Sequence, residues 1–118
     1  MKLKKTHKSS SYTKIEILDG KKSIGRAFLY LIKNDLHKQP YGLMEDVFVD
    51  EKYRSQGLGR KLVSEIIKFA KKYKCTKLIG TSRMQRKNVH NFYQRQGFKK
   101  WGYEFRMDLI NSKPKQRD

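Results

Sequence analysis

The sequence predicts a domain of the α/β class, in which helices pack on one mixed β-sheet. Three observations lead to this prediction. The chain of 118 residues is long enough for one hydrophobic core and short for two domains. Its apolar residues recur with a period of two in some segments and of about 3.6 in others. These segments follow one another in the order β, β, β, α, β, α, β, which is typical of a sheet covered by helices.

The same patterns indicate the domain boundaries. Residues 1–11 are basic and rich in serine, residues 12–110 contain all the periodic segments, and residues 111–118 are polar. We therefore predict a flexible basic N-terminus, one domain over residues 12–110, and a flexible tail.

The first three periodic segments are predicted strands. Residues 12–18 alternate between two sides, and residues 24–33 form an apolar run that favours a strand, so a turn between them gives a hairpin. Pro40 interrupts the chain after this hairpin. Residues 41–50 are rich in valine and phenylalanine and predict the third strand.

The second half of the chain changes to helical spacing and back. From Gly57 to Tyr73 apolar residues recur every three or four positions, which predicts a long amphipathic helix. Residues 76–82 indicate a buried strand, and residues 88–97 a short helix that ends at a glycine. Residues 102–109 predict a final strand, because four apolar side chains alternate with polar ones: Tyr103, Phe105, Met107 and Leu109.

Charge and cysteine content narrow the classes of function. The 29 Lys and Arg residues exceed the 11 Asp and Glu residues by 18, which favours anionic partners such as nucleic acid, phosphorylated metabolites or CoA. Cys75, the single cysteine, excludes an internal disulfide and a cysteine metal cluster, and indicates a reducing compartment. His90 has no ligand partner at a suitable spacing, so no metal is predicted. Without an apolar membrane span or secretion signal, a cytoplasmic location and no membrane partner are predicted.

The segment YRSQGLGRKL, residues 53–62, lies between the third strand and the long helix. Its glycines allow close approach of a ligand, and the unpaired N–H groups of a helix N-terminus attract phosphate. A P-loop is excluded because Gly-Lys-Ser/Thr is missing, and a dinucleotide fingerprint because Leu62 stands where a third glycine is needed. By itself the segment fits an anion-binding loop and a basic turn equally well.

The longer sequence VFVDEKYRSQGLGRKLV resembles the acyl-CoA-binding motif of the GNAT superfamily of N-acetyltransferases. That motif has the form Arg/Gln-x-x-Gly-x-Gly/Ala, which is matched here by Arg54, Gly57 and Gly59. A second block, NVHNFYQRQGF, is similar to the family's short helix, with four residues at motif positions: Phe92, Tyr93, Gly97 and Phe98. The two blocks stand in the family's order, and the resemblance covers about residues 12–109.

The resemblance implies the GNAT acyl-CoA N-acyltransferase fold and acetyl-CoA as co-substrate. It implies that the cofactor's pyrophosphate lies at the start of the long helix, on residues Arg54, Gln56, Gly57, Leu58, Gly59, Arg60 and Lys61. The pantetheine arm would lie beside Val47, Phe48 and Val49 in the manner of an added strand. Asn88 would either contact the pantetheine or cap the second helix. The acceptor amine attacks the thioester directly, so Cys75 need not react.

The chemistry requires a proton acceptor for the amine and a donor for the leaving thiolate. The resemblance points to the third strand for the acceptor, where the candidates are Glu45 and Asp46. Strict alternation would place Glu45 on the face of Val47 and Val49, and Asp46 on the opposite face. We favour Glu45, acting through a water, over Asp46. A third interpretation is that either carboxylate binds the acceptor or forms an ion pair, and that the amine enters partly neutral without a dedicated base. Tyr93 is the predicted acid, and packing in the core is the alternative interpretation of its position.

The chain departs from the family pattern before the hairpin, where family members place a strand and two helices. We therefore predict an acceptor groove that is open, which suits a protein or peptide amine, or closed by a second copy as a homodimer paired through the last strand. An amino sugar is the other acceptor class. Two alternative functions are a non-catalytic acyl-CoA-binding domain and a nucleic-acid-binding module. Against the second, several aromatic residues fall at predicted core positions: Tyr12, Phe28, Tyr30, Phe69 and Phe92.

Overall fold

The computed structural model describes residues 1–110, and the predicted tail, 111–118, lies outside the described residues. In chain order the elements are β1 (Tyr12–Asp19), β2 (Lys22–Ile32), β3 (Tyr41–Val49), a 3₁₀ turn (Glu51–Tyr53), α1 (Leu58–Lys72), β4 (Leu78–Gly80) and α2 (Lys87–Arg95). This order confirms the prediction through the second helix. Within the described residues, no helix has both the length and the apolar character needed to cross a membrane.

The four strands form one sheet in the order β1-β2-β3-β4, which confirms the predicted mixed sheet. β1, β2 and β3 pair antiparallel, whereas β4 runs parallel to β3 because α1 carries the chain back across the sheet. The parallel pairing extends only from Gly42, opposite Leu78, to Met44, opposite Gly80. Beyond Met44, β3 continues to Val49 with no β4 partner among residues 1–110. The sheet therefore opens between β3 and β4.

The hydrophobic core lies between the helices and one face of the sheet. Its buried residues are Ala27, Leu29 and Met44 on the strands and Leu62, Val63, Ile66 and Ala70 on α1. The spacing of the α1 residues confirms the predicted amphipathic helix, whose apolar side covers β2 and β3. α2 adds Phe92 and Tyr93 to the edge of this core.

Gly42 lies on β3 where side chains of both neighbouring strands meet it. A Cβ atom at this position would lie 2.9 Å from Leu29 Cδ1 and 3.0 Å from Leu78 Cδ1. We expect Gly42→Ala to lower the free energy of unfolding by about 1–3 kcal/mol, because the added methyl group overpacks the core. Gly102→Ala is the matched control, since nothing lies within 4 Å of its Cβ position. Chemical denaturation compares the two, and equal stability would contradict the close packing.

The opposite face of β1 and β2 carries an aromatic cluster. The rings of Tyr12, Phe28 and Tyr30 lie 5.1 to 6.4 Å apart, and Tyr12 is 58% exposed. We call these three side chains the aromatic face; within residues 1–110, both helices pack on the other side of the sheet. The prediction that these three residues belong to the core is wrong. β2 is apolar on both faces, and the core forms on the face of Ala27 and Leu29.

The final strand predicted over residues 102–109 is absent from the structure, and this part of the prediction is wrong. The segment 101–109 has no strand pairing. Its alternating apolar side chains are 80% to 93% exposed: Tyr103, Phe105, Met107 and Leu109. Alternation shows that a segment could bury one face, but a strand also needs an edge to pair with. The edge strand β4 has only 3 residues, so it offers few backbone groups.

Candidate active site

A β-bulge in β3 determines the positions of its two carboxylates. Arg26 and Phe28 of β2 lie opposite Phe48 and Glu45 of β3, so β3 carries one extra residue between these two pairs. Asp46 lies within the bulge and adopts a positive φ of 51°, which is uncommon for a residue other than glycine. The strict alternation assumed from the sequence is therefore interrupted at this point.

The bulge changes which β3 residues share a face. Met44 is buried in the core, and both Val47 and Val49 pack against that core. Glu45 instead lies opposite Phe28 of the aromatic face. The prediction that Glu45 shares a face with Val47 and Val49 is wrong, because the extra residue returns both valines to the core side. Glu45 thus lies between the aromatic face and the opening of the sheet.

The surroundings of Glu45 make it a stronger proton acceptor than an exposed glutamate. Burial raises the pKa of its carboxyl above the ordinary value, and the negative charges of Asp46 and Glu104 raise it further. Glu104 belongs to the exposed segment 101–109, and no pattern in the sequence indicates that it approaches Glu45. A carboxylate with a raised pKa beside an open strand edge has the properties of a general base.

Tyr93 lies on α2 beside Gly80, the last residue of β4. Its ring contacts those of Phe92 and Phe98 at centroid distances of 5.9 and 5.5 Å. Burial raises the pKa of the Tyr93 phenol, the charge of Glu45 raises it further, and Arg86 acts in the opposite direction. The phenol is therefore protonated at neutral pH. The Tyr93 ring packs against the edge of the core.

The loop before α1 leaves backbone N–H groups without side-chain partners. Gly57 is the N-cap of α1 with a left-handed φ of 76°, and no side chain makes a cap hydrogen bond. The first turn contains no acidic residue, and Arg60 and Lys61 are exposed beside it. N–H groups of this kind next to two cations can bind a phosphate group. A side chain at Gly57 would strain the backbone that forms this site.

Arg54 links this loop to the end of β3. Its Nε donates a hydrogen bond to the Val49 carbonyl oxygen at 2.9 Å. Its guanidinium lies 5.6 Å from the centre of the Phe48 ring, and Arg26 lies 4.6 Å from the same ring. Arg54 thus positions the loop against the strand edge. No motif in the sequence marks Arg26, which the register of β2 brings to the site.

Two other residues singled out from the sequence, Asn88 and Cys75, lie outside any polar cluster of the site. Asn88 does not cap α2, because the N-cap residue is Arg86 and no side chain makes a cap hydrogen bond; the capping interpretation is wrong. Cys75 is partly buried, and burial raises the pKa of its thiol, as expected of a packing residue. Within residues 1–110, no three His, Cys, Asp or Glu side chains are grouped to hold a metal ion.

The chain is similar to several solved structures. An acetyltransferase of Trypanosoma brucei is 27% identical, with a TM-score of 0.74 over 83% of this chain and 69% of that chain. Glucosamine-6-phosphate N-acetyltransferase from Arabidopsis thaliana is 22% identical, with a TM-score of 0.73 over 84% of this chain and 67% of that chain. AAC(6')-Iy in complex with the bisubstrate analogue CoA-S-monomethyl-acetylneamine is 16% identical, with a TM-score of 0.69 over 84% and 70%. The last two similarities concern the fold alone. A model of the Acetyltransferase (GNAT) family matches residues 3–98, a range that contains every predicted site residue.

Proposed function

Because the chain belongs to the GNAT acetyltransferase family, we propose that it transfers the acetyl group of acetyl-CoA to a primary amine. The observation that carries the proposal is the opening between β3 and β4. An unpaired strand edge, an uncapped helix N-terminus and the side chains of Glu45 and Tyr93 surround it. The amine nitrogen attacks the thioester carbonyl, the carbon–sulfur bond breaks, and CoA leaves as the thiol. No covalent intermediate forms on the protein.

The residues around the opening fit acetyl-CoA. The N–H groups of residues 56–60 would donate to its pyrophosphate, and the side chains of Arg60 and Lys61 would add positive charge. The edge of β3 over residues 47–49 has no β4 partner among residues 1–110, and its backbone groups other than the Val49 carbonyl, which accepts from Arg54, would pair with the pantetheine amides. Asn88 is exposed at the start of α2, where it would contact the same arm. When bound, acetyl-CoA supplies an acetyl group activated as a thioester.

We assign Glu45 as the group that removes the proton from the acceptor ammonium, through a water. Its position beside the opening and its raised pKa support this role. Asp46 is the alternative base. Its place in the bulge allows it to add negative charge beside Glu45, which favours binding of the cationic acceptor before its proton is removed.

We assign Tyr93 as the group that returns a proton to the leaving sulfur. The contacts of its ring with Phe92 and Phe98 restrain the position of the phenol oxygen, from which the proton would be donated. The electrostatic effect of Glu45 on Tyr93 supports the view that the two groups serve one site.

We propose a protein or peptide amine as the acceptor. Phe28 of the aromatic face lies opposite Glu45 in the sheet. Neither helix among residues 1–110 covers the aromatic face. An extended acceptor could lie along this face with its amine at Glu45. A small amino sugar, the alternative class, would need the groove to be closed by the segment 101–109 or by a second copy. The exposed apolar side chains of that segment support the predicted homodimer.

Thermal unfolding with and without acetyl-CoA tests the proposal. At about 100 times its dissociation constant, acetyl-CoA should add roughly 2.7 kcal/mol of stability, which raises the melting temperature by roughly 10 °C. Plain CoA should give a similar shift, and inorganic pyrophosphate, the control, a smaller one. A positive result leads to a screen of peptide amines and amino sugars by release of the CoA thiol. No shift in folded protein would contradict the cofactor assignment.

A further inference from the structure

Two loops at the end of the sheet remote from the proposed cofactor site are held side by side. One comprises residues 33–41, from the end of β2 to the first residue of β3, and the other comprises residues 71–77, from the last two residues of α1 to the start of β4. The Thr76 N–H donates to the Pro40 carbonyl at 3.0 Å, and the Gly42 N–H donates to the Lys77 carbonyl at 2.9 Å. We call the surface formed by these two segments the basic pole.

The basic pole concentrates positive charge. Its two segments contain six exposed lysines: Lys33, Lys38, Lys71, Lys72, Lys74 and Lys77. They contain one carboxylate, Asp35, which lies 3.8 Å from Lys8, a cation outside the two segments. Among residues 1–110, none of the six lysines is in salt-bridge contact with a carboxylate. Such a surface attracts an anion with several charges.

The proposed cofactor cannot account for this charge. α1 begins at the phosphate-binding loop and ends at Lys72 in the basic pole. Its 15 residues span about 22 Å at 1.5 Å per residue. The Debye length at physiological ionic strength is about 8 Å, so lysines at one end of α1 contribute little to binding phosphates at the other. The phosphates of the proposed cofactor therefore do not explain the positive charge of the basic pole.

Aromatic rings lie among these lysines. Tyr41 lines a cavity of about 320 Å³ together with His37, Lys38 and Lys77. The Lys77 ammonium lies 4.9 Å from the centre of the Tyr41 ring. Tyr73 is 39% exposed and is flanked in sequence by Lys72 and Lys74. Lysines that neutralise phosphates next to rings on which bases stack are the features that bind single-stranded nucleic acid.

We propose that the basic pole binds single-stranded nucleic acid, with phosphates on the lysines and bases against Tyr73 and Tyr41. An acidic protein would also be attracted by the lysines, but rings interleaved with lysines are the arrangement on which successive bases stack, and this favours nucleic acid. The site is separate from the opening between β3 and β4. The proposal therefore does not depend on the proposed acetyltransferase activity.

The test is the binding of a fluorescently labelled 12-nucleotide uridine RNA. Binding is measured by fluorescence anisotropy at salt concentrations from about 50 to about 200 mM, over which phosphate contacts weaken strongly. The variant K71Q/K72Q/K74Q/K77Q removes four charges from the basic pole, and K14Q/K21Q/K22Q/K52Q removes four elsewhere. We expect the first to weaken binding at least tenfold and to reduce the slope of log K against log salt by about 3, at roughly 0.7 per phosphate contact. The control should change affinity less than about threefold, because its lysines lie outside the basic pole.

A second variant separates stacking from charge. Tyr73→Leu keeps every lysine and an apolar side chain, and should weaken RNA binding about fivefold or more. It should leave the binding of polyglutamate, an acidic peptide probe, unchanged. A cooperative thermal unfolding transition in the absence of ligand shows that each variant is folded. Three results would overturn the proposal. They are equal losses of RNA affinity in the two lysine variants, no RNA binding at low salt, and binding of polyglutamate as tight as that of RNA.

Discussion

Glu45→Gln should lower the turnover number about 100-fold or more while leaving the binding of acetyl-CoA unchanged. An amide cannot accept a proton from the acceptor ammonium, and a general base contributes about 10²- to 10⁴-fold to such a reaction. The substitution conserves side-chain size, so the edge of β3 beside it keeps its conformation. Thiol release measures turnover, and the melting shift measures cofactor binding. The matched control is Glu65→Gln on α1, whose carboxylate contacts Lys68 away from the site.

The same variant should be at least as stable as the wild type at pH 7. Burial raises the folded-state pKa of Glu45, so its stabilising contribution is present at low pH and is lost as the pH rises through that pKa. At neutral pH the partly buried carboxylate is therefore unfavourable, and glutamine removes it. The wild-type turnover should also decline on the acid side at a higher pH than an ordinary carboxyl would give. Full turnover in Glu45→Gln, with a loss in Asp46→Asn, would assign the base to Asp46.

Tyr93→Phe is expected to lower the turnover number about 10- to 100-fold. The hydroxyl is removed while the ring contacts with Phe92 and Phe98 are kept, so packing is conserved. We expect a smaller effect than for Glu45. The conjugate acid of the thiolate has a pKa of roughly 8.5, so the thiolate can leave without first receiving a proton. Tyr73→Phe removes a hydroxyl far from the opening and serves as the control. Unchanged turnover in Tyr93→Phe would leave that residue with a packing role only.

The elements with one apolar side were predictable from the sequence. α1 buries Leu62, Val63, Ile66 and Ala70 at helical spacing, and tertiary packing requires the same periodicity that the sequence displays. β2 is apolar on both faces, so alternation alone could not decide which face becomes the core. The aromatic face was assigned to the wrong side for this reason.

The β3 bulge could not be read from the sequence. One inserted residue leaves no mark on composition, and its effect appears only in the pairing with β2. An aspartate tolerates a positive φ better than most residues, but this preference is too weak to locate a bulge. The error in the faces of Glu45, Val47 and Val49 follows from this single position.

The loop that we propose to bind phosphate could be located in the sequence as a local motif, because Gly57 and the first turn of α1 are neighbours in the chain. The approach of Glu104 to Glu45 and of Arg26 to Phe48 depends on contacts between segments that are distant in sequence. The final predicted strand failed for a related reason. Residues 102–109 show a face suited to burial, while the available edge belongs to β4 and is 3 residues long.

The unpaired edge of β3 also affects how the protein behaves in concentrated solution. An open strand edge beside exposed apolar residues is a template for edge-to-edge aggregation. The net charge of +18 opposes this, since two copies that approach one another repel. Salt screens that repulsion, and a bound pantetheine arm would occupy the edge itself. Colloidal stability and cofactor occupancy are therefore linked through the same few backbone groups.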